Sequence, residues 1–362
     1  HIIRDPRSLA MAIALPMLML FLFGYALTLD VDRVPLVVWD QSGTATSRDF
    51  VSRFSGSRYF TLASRVTNYR DLERAIDMRT AVAALVIPTD FARSVEAGRR
   101  AEVQLVVDGS DSNTATIVMG YANFIVTAYS LDVTANAVVR AGGIAPAPPV
   151  DLRPRVWFNE ELASRNYIVP GLIAIIMMVI AALLTSLTVA REWERGTMEQ
   201  LISTPVRGAE LVVGKFLPYF AIGMIDVTLA VLMGEFVYDV PLRGSIVLLF
   251  AMACIFLTGA LSLGLFISIV SKAQLVANQL AMVLTFLPAF LLSGFVYPIA
   301  NMPAAIRAVT YLIPARYFVV LLKGIYLKGV GLNVLAGEAA LLAVFGGAMI
   351  TLSIVVFKKR LA

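Results

Sequence analysis

Arg191-Glu-Trp-Glu-Arg-Gly-Thr-Met-Glu-Gln-Leu-Ile-Ser-Thr-Pro205 separates two long apolar runs, Ile168–Ala190 before it and Leu211–Val237 after it. It gathers two arginines and three glutamates in a chain that is only 15% charged. Gly196 after Arg195 reads as the stop of the helix leaving the first run, because glycine accepts the left-handed backbone that ends helices. Thr197 with Gln200 three residues on reads as a capping box opening a second, short helix. Pro205 closes that helix or opens the next, since it lacks an N–H and fixes its backbone. The stretch therefore predicts helix, break, short charged helix and break at a membrane surface. The plainer alternative is a solvated loop whose charges keep it out of lipid.

Composition points the same way. The chain has 362 residues, is 59% hydrophobic and has net charge +5. Soluble domains are about 45–50% apolar, so an excess gathered into runs indicates an integral membrane protein. His1 is the only histidine and Cys254 the only cysteine. A histidine metal site, a His-based triad and an intrachain disulfide are excluded. Residues 1–8, with His1-Ile-Ile-Arg-Asp-Pro-Arg7, read as the tail of a truncated cytoplasmic segment.

Leu9–Leu29 carries no charge. It is about long enough to cross a ~30 Å hydrocarbon core at ~1.5 Å per residue. Pro16 marks a kink position. Arg4 and Arg7 precede the run and Asp30 and Asp32 follow it, which places its start in the cytoplasm by the positive-inside rule. Further runs are Ser245–Val270, Leu275–Ile299 and Gly337–Phe357. Six spans put both termini on one side, and Lys358-Lys359-Arg360 agrees with the cytoplasm. Alternation then puts 30–165 outside and the 191–209 stretch inside. Residues 300–333 resist this scheme. Arg307, Arg316, Lys323 and Lys328 make the segment too charged to span, and Phe318–Leu322 makes it too apolar for a free loop. It reads as a re-entrant or interfacial helix pair broken by Pro303 and Pro314.

Between the first two spans, apolar runs alternate with helical patterns. Strands are expected at Val34–Trp39, Tyr59–Val66, Ala81–Ile87 and Glu102–Val107. Helices are expected near Thr44–Phe54, at Asn68–Asp77 with Asn68 as cap, and near Thr89–Ala97. A long helix follows over 112–140, with apolar residues recurring from Ile117 to Ala135. Pro146, Pro148, Pro149 and Pro154 mark a linker, and Val156-Trp-Phe158 is a further strand candidate. The expected fold is thus an α-helical integral membrane protein with six transmembrane helices and an inserted extracytoplasmic α/β domain between helices 1 and 2.

Few residues are candidates for chemistry. Gly208 to Gly214-Lys215-Phe216 has five residues between its glycines and Phe after the lysine, so it is no phosphate loop. Gly214 reads as a packing position and Lys215 as an interfacial anchor. Asp226 lies in mid-span, where a charge costs about 2.5–3.5 kcal/mol on insertion scales; it is a translocation-pathway candidate or a hydrogen-bond partner of a neighbouring helix. Glu235 reads as interfacial. Pro288, Ser293, Gly294 and Pro298 break the fifth run, either as a helix stop or as an outer gate with freed carbonyls. Asp108 to Asn113 lacks the distal glutamate of a calcium loop and reads as a turn plus helix cap. The arginines of the α/β domain come without stacking aromatics, so no nucleic acid is expected.

The layout and several local motifs resemble type-2 ABC exporter permeases, in particular bacterial multidrug efflux subunits with a large periplasmic insert. The carrying motifs are Arg4-Asp-Pro-Arg7, Asp108-Gly-Ser with Asn113, Pro170-Gly171, Ala190 to Leu201, and Thr204-Pro205. Gly214-Lys215, Leu292-Ser-Gly294, Pro298, Met302-Pro303 and Pro314 complete the set. Two departures are the nearly absent N-terminal amphipathic helix and the bulk of Trp193. The resemblance implies a permease that binds no cofactor itself and pairs with separate cytoplasmic ATPase subunits holding ATP and Mg. It implies coupling through Arg191, Glu192, Glu194, Arg195, Gly196, Thr197, Glu199, Leu201, Thr204 and Pro205. It also implies a second permease chain, identical or similar, a periplasmic adaptor, and an outer-membrane channel, in the bacterial inner membrane. Drugs or other amphiphiles are the expected cargo, with lipid or glycan as the alternative. A scaffold that moves its outer domain without transport, and an ion-coupled carrier resting on Asp226, are the competing classes.

Overall fold

A computed structural model describes residues 6–27, 32–140, 142, 157–159 and 163–357. The chain divides into two units, one of residues 1–28 and 155–362 and the other of residues 29–154.

In the second unit the strands are β1 (Val34–Asp40), β2 (Phe60–Arg65), β3 (Ala83–Ile87) and β4 (Gln104–Val107). They form one sheet in the order β2-β1-β3-β4. β1 is parallel to β2 and β3, and β4 is antiparallel to β3. Parallel neighbours need crossovers, which α2 (Ala45–Ser55) and α3 (Tyr69–Asp77) supply before α4 (Phe91–Glu96) and α5 (Ser112–Arg140). Alternate side chains of β1 and β3 serve two cores. Val34, Leu36, Val38, Leu85 and Ile87 meet Phe50, Phe54 and Phe91 with one face of α5. Val37, Ala84 and Val86 meet Leu72 of α3. Strands buried on both faces read as continuous apolar runs, as β3 does.

The caps follow the sequence. Thr44 Oγ1 accepts from the Ser47 N–H at 3.1 Å, and Asn68 Oδ1 accepts from the Asp71 N–H at 2.8 Å. Asp111 accepts from the Thr114 hydroxyl at 2.5 Å and the Asn113 N–H at 3.0 Å, opening α5. These bonds, the Thr114 hydroxyl first, hold the Asp111 carboxyl below the usual carboxylate range.

The other unit contains α1 (Pro6–Ala26), α6 (Ser164–Ser186), α7 (Thr188–Glu194), α8 (Thr197–Ser203), α9 (Gly208–Phe236), α10 (Ile246–Ser271) and α11 (Gln274–Leu292). A 3-10 turn at Ile299–Asn301, α12 (Ala304–Thr310), α13 (Pro314–Lys323) with a π turn at Gly324–Lys328, and α14 (Leu332–Val356) complete it. α6, which holds the most apolar 18-residue stretch among the described helices, is enclosed, with 89% of that stretch buried, whereas α11 and α14 bury 22% of theirs. A helix apolar all round belongs in the interior. Gly264 of α10 lies so close to Ala182 and Thr185 of α6 that a Cβ would collide with both. The Thr185 hydroxyl donates to the Leu261 carbonyl at 2.8 Å across the same contact.

Several expectations need correction. Among the described residues six helices are long and apolar enough to cross a membrane. They include α5, whose Val118, Ala122, Ile125 and Tyr129 pack on the sheet. They omit α1, whose described apolar part is Ala12–Ala26; Thr28 and Leu29 of the expected first span lie outside the described residues. The fifth span ends at Leu292, seven residues early, because Gly294 takes the left-handed conformation at φ +80°. Pro288 stays inside α11 and does not make the break. The sixth run starts earlier than expected, at Leu332. Trp157–Asn159 is no strand, and Val156, with the prolines of the expected linker, lies outside the described residues, as do Arg4, Asp30 and Lys358–Arg360. The expected broken pair is present: α12 and the α13–π segment meet at 80°.

Contacts sort the helix ends of this unit into two groups. Arg165 in the first turn of α6 pairs with Asp239 after α9 at 3.5 Å, and the Arg243 N–H donates to the Tyr326 carbonyl at 3.0 Å. At the opposite end, Val189, Met198, Val212, Leu265, Ile269 and Phe357 form a separate small core. The end of α6, the start of α9, and the ends of α10 and α14 thus lie together, as alternating spans require.

Candidate functional site

The charged block forms a junction at that second end. Gly196, at φ +70°, separates α7 from α8, as its position in the sequence requires. The capping box does not form: Gly196 itself is the N-cap without a side-chain bond, and Thr197 is already helical. The Thr197 hydroxyl instead donates back to the Glu192 carbonyl at 3.4 Å. α8 ends at Ser203, with Thr204 at its cap, and Pro205 lies in the loop before α9. The expected 191–209 element is therefore the end of α7, α8, a short loop and the first residues of α9.

A second break lies upstream, between α6 and α7 at Leu187. There the Thr188 hydroxyl takes the Thr185 carbonyl at 2.7 Å. The Val189 and Ala190 N–H groups donate to Ser268 Oγ of α10 at 3.0 and 2.9 Å. Ser268 is fully buried, so it caps α7 from another helix. An uncapped helix start would leave such donors orphaned.

The glutamates point in different directions. Glu192 pairs with Lys215 of α9, and its Oε2 is buried with no hydrogen-bond partner among the described residues. Lys215 is therefore a structural ion-pair partner rather than a free interfacial anchor. The Glu194 carboxylate accepts from the backbone N–H of Gln274 at 2.7 Å and from the Gln274 side-chain amide. Gln274 opens α11, whose N-cap Ala273 offers no side chain for capping. Glu194 supplies that cap from α7, where a negative charge also suits the helix dipole. Arg191 reaches the Gln274 amide oxygen at 3.3 Å. Lys272 sits 4.9 Å above the Trp193 ring, a cation–π contact. Leu201 packs beside the small core that holds Met198. Arg195 and Glu199 are exposed, with no side-chain partner among the described residues. Sequence reading grouped all of these charges together. The structure spends Glu192 and Glu194 within the chain and presents Arg195 and Glu199 at the surface.

Asp226 lies on the buried face of α9 at 1% exposure, and its Oδ1 has no hydrogen-bond partner among the described residues. For that oxygen, the expected bond to a neighbouring helix is not made. Glu235 lies one residue from the end of α9.

At the other end of the unit, the turn after α11 is closed by contacts that sequence reading missed. Tyr167 of α6 donates its hydroxyl to the Phe295 carbonyl at 2.8 Å and stacks on the Phe295 ring. The Phe295 ring fills the space over Gly171, where a Cβ would collide with it. Lys323 Nζ lies 3.3 Å from the Tyr167 ring centroid. Buried Ser293 accepts from the Phe295 N–H at 3.3 Å, and Pro298 leads into the 3-10 turn. The Phe295 carbonyl, within the stretch read either as a helix stop or as an outer gate, accepts from Tyr167. The sequence signal for this cluster was Pro170-Gly171, a small residue one turn beyond Tyr167.

Among the described residues no group of three or more His, Cys, Asp or Glu side chains could hold a metal ion. The family model for ABC-2 family transporter proteins matches residues 6–355. The chain is 39% identical over 329 residues to the "Probable multidrug ABC transporter permease YbhS" of Escherichia coli K12, covering 91% of this chain and 86% of that one. It is 29% identical over 334 residues to the "Probable multidrug ABC transporter permease YbhR" of the same strain, covering 92% and 88%. It is also 27% identical over 333 residues to its "Inner membrane transport permease YhhJ", covering 90% and 86%.

Proposed function

We propose, from the premise that this chain belongs to the ABC-2 transporter family, that it is the membrane permease subunit of an ATP-driven exporter of drugs or other amphiphilic small molecules. The observation that carries the reading is the junction at Arg191–Pro205. It is tied to α9 through Lys215 and to α11 through Gln274, and Val189 and Ala190 just before it bond to Ser268 of α10, while Arg195 and Glu199 remain exposed. A partner that pushes on those two charges moves three helices at once. Separate cytoplasmic subunits bind ATP and Mg and hydrolyse the nucleotide. The junction faces them, both termini lie on that side, and the α/β unit stands in the periplasm of a bacterial inner membrane. There it docks an adaptor leading to an outer-membrane channel. Two permease chains, identical or similar, enclose the pathway. Asp226 contributes to that pathway, and the Ser293–Pro298 turn closes its outer mouth. The relatives' names as multidrug or inner-membrane permeases support the cargo class and the location.

The test is copurification with the ATPase, followed by accumulation of a fluorescent amphiphilic drug in inverted vesicles. ATP-dependent accumulation that is abolished without the ATPase is expected. Uptake driven by a proton gradient with no ATPase bound would refute the reading.

A further inference from the structure

A cavity of about 340 Å³ lies where α13 and the 3-10 turn meet the start of α14. Its size falls within the range of small-ligand sites. Ile299, Val320 and Leu341 give it an apolar wall, and Arg316 and Glu338 bring opposite charges to its lining. These charges form no ion pair with each other or with any other described residue. The Arg316 guanidinium lies 3.8 Å above the Tyr311 ring and donates to Thr310. Tyr317 holds that arrangement by donating its hydroxyl to the Tyr311 carbonyl at 2.7 Å. Arg316 is thereby fixed in place with further donors to offer, since a guanidinium carries five. A guanidinium in this state suits a phosphate, and a carboxylate beside aromatic faces suits an ammonium group.

We infer that this cavity binds the zwitterionic head group of a membrane phospholipid, its phosphate at Arg316 and its ammonium at Glu338. One ligand then compensates both unpaired charges, and the apolar wall continues along the acyl chains. α13, which supplies Arg316, Tyr317 and Val320 to the lining, is the second limb of the bent α12–α13 pair, whose apolar and charged composition suits the membrane interface. The inference concerns a resident lipid and is independent of which cargo the permease moves.

The experiment places the purified full chain in nanodiscs of equimolar phosphatidylethanolamine, phosphatidylcholine and phosphatidylglycerol, extracts it, and counts retained lipids by mass spectrometry. The two zwitterionic lipids should be retained roughly fivefold over phosphatidylglycerol. Glu338→Gln should bring the three to parity, and Leu341→Trp, which fills the cavity while leaving both charges in place, should abolish the enrichment. Arg316→Gln should lower all three; because Arg316 also braces Tyr311, Leu341→Trp provides the independent check should that variant misfold. Soluble phosphoethanolamine in excess should leave the enrichment intact. Equal retention of phosphatidylglycerol by the wild type, enrichment that survives both Glu338→Gln and Leu341→Trp, or displacement by the soluble head group would overturn the inference.

Discussion

Two buried serines of α10 should respond unequally to loss of their hydroxyls. Ser268 Oγ accepts the Val189 and Ala190 N–H groups at 3.0 and 2.9 Å. Ser268→Ala therefore strands two buried donors at the start of α7. A buried donor left unsatisfied costs about 1–3 kcal/mol, and loss of a helix cap about 1 kcal/mol. Straightening the chain at Leu187 could recover part of this, but the Thr185 carbonyl is already taken by the Thr188 hydroxyl at 2.7 Å. The net cost should be about 2 kcal/mol, which at about 1.4 kcal/mol per decade is a roughly 30-fold loss of protection. Ser262 is also fully buried, but its Oγ has no hydrogen-bond partner among the described residues. Ser262→Ala removes an unsatisfied hydroxyl and should cost under about 0.5 kcal/mol. Hydrogen–deuterium exchange of the peptide spanning the Val189 and Ala190 amides reads both effects. Unchanged exchange in Ser268→Ala, or equal effects from the two serines, would refute the idea that Ser268 holds the junction.

Lys215→Met should destabilise the permease more than Glu192→Gln, because it leaves a partly buried carboxylate with neither oxygen paired. A double-mutant cycle by chemical denaturation should show about 1–2 kcal/mol of coupling. Arg195→Ala with Glu199→Ala should abolish ATP-driven efflux while membrane abundance and thermal unfolding stay at wild-type values; full efflux would remove the docking role of these two charges. Asp226→Asn should reduce efflux at undiminished abundance, read by vesicle transport and immunoblotting, since Oδ1 has no hydrogen-bond partner to lose. Poor accumulation of that variant would point to a structural role.

What could be read from the sequence was local. Gly196 and Asn68 act within a turn of their own positions, so their chemistry predicts the stop and the cap that the structure contains. The alternation of strands and helices was legible for the same reason, because a half-buried or fully buried strand declares its pattern within a few residues. The break at Leu187 was not legible, since the group that stabilises it is Ser268, distant in the chain. Glu194 reads as a surface charge until α11 starts beside it. The end of α11 was placed only to within the Pro288–Pro298 break, because Phe295–Ile299 is as apolar as the helix before it. Hydropathy reports where a residue partitions and does not distinguish a helical turn from a loop packed against protein. The Phe295 contact needed the empty space over Gly171, which composition does not reveal.

The enclosure of α6 has a consequence for how this chain tolerates change. Its apolar sequence would suit lipid, yet its side chains meet other side chains on every face. Shape, more than polarity, therefore restricts what can stand there. Exchanging one large aliphatic residue for another along Ile173–Ile180 alters no hydropathy profile but should disturb packing against several neighbours at once. The same exchange at Leu284 or Val344, both exposed on the outer faces of α11 and α14, should pass almost unnoticed. Substitutional freedom in this permease should thus follow enclosure rather than hydrophobicity, with α6 far less forgiving than the comparably apolar α14.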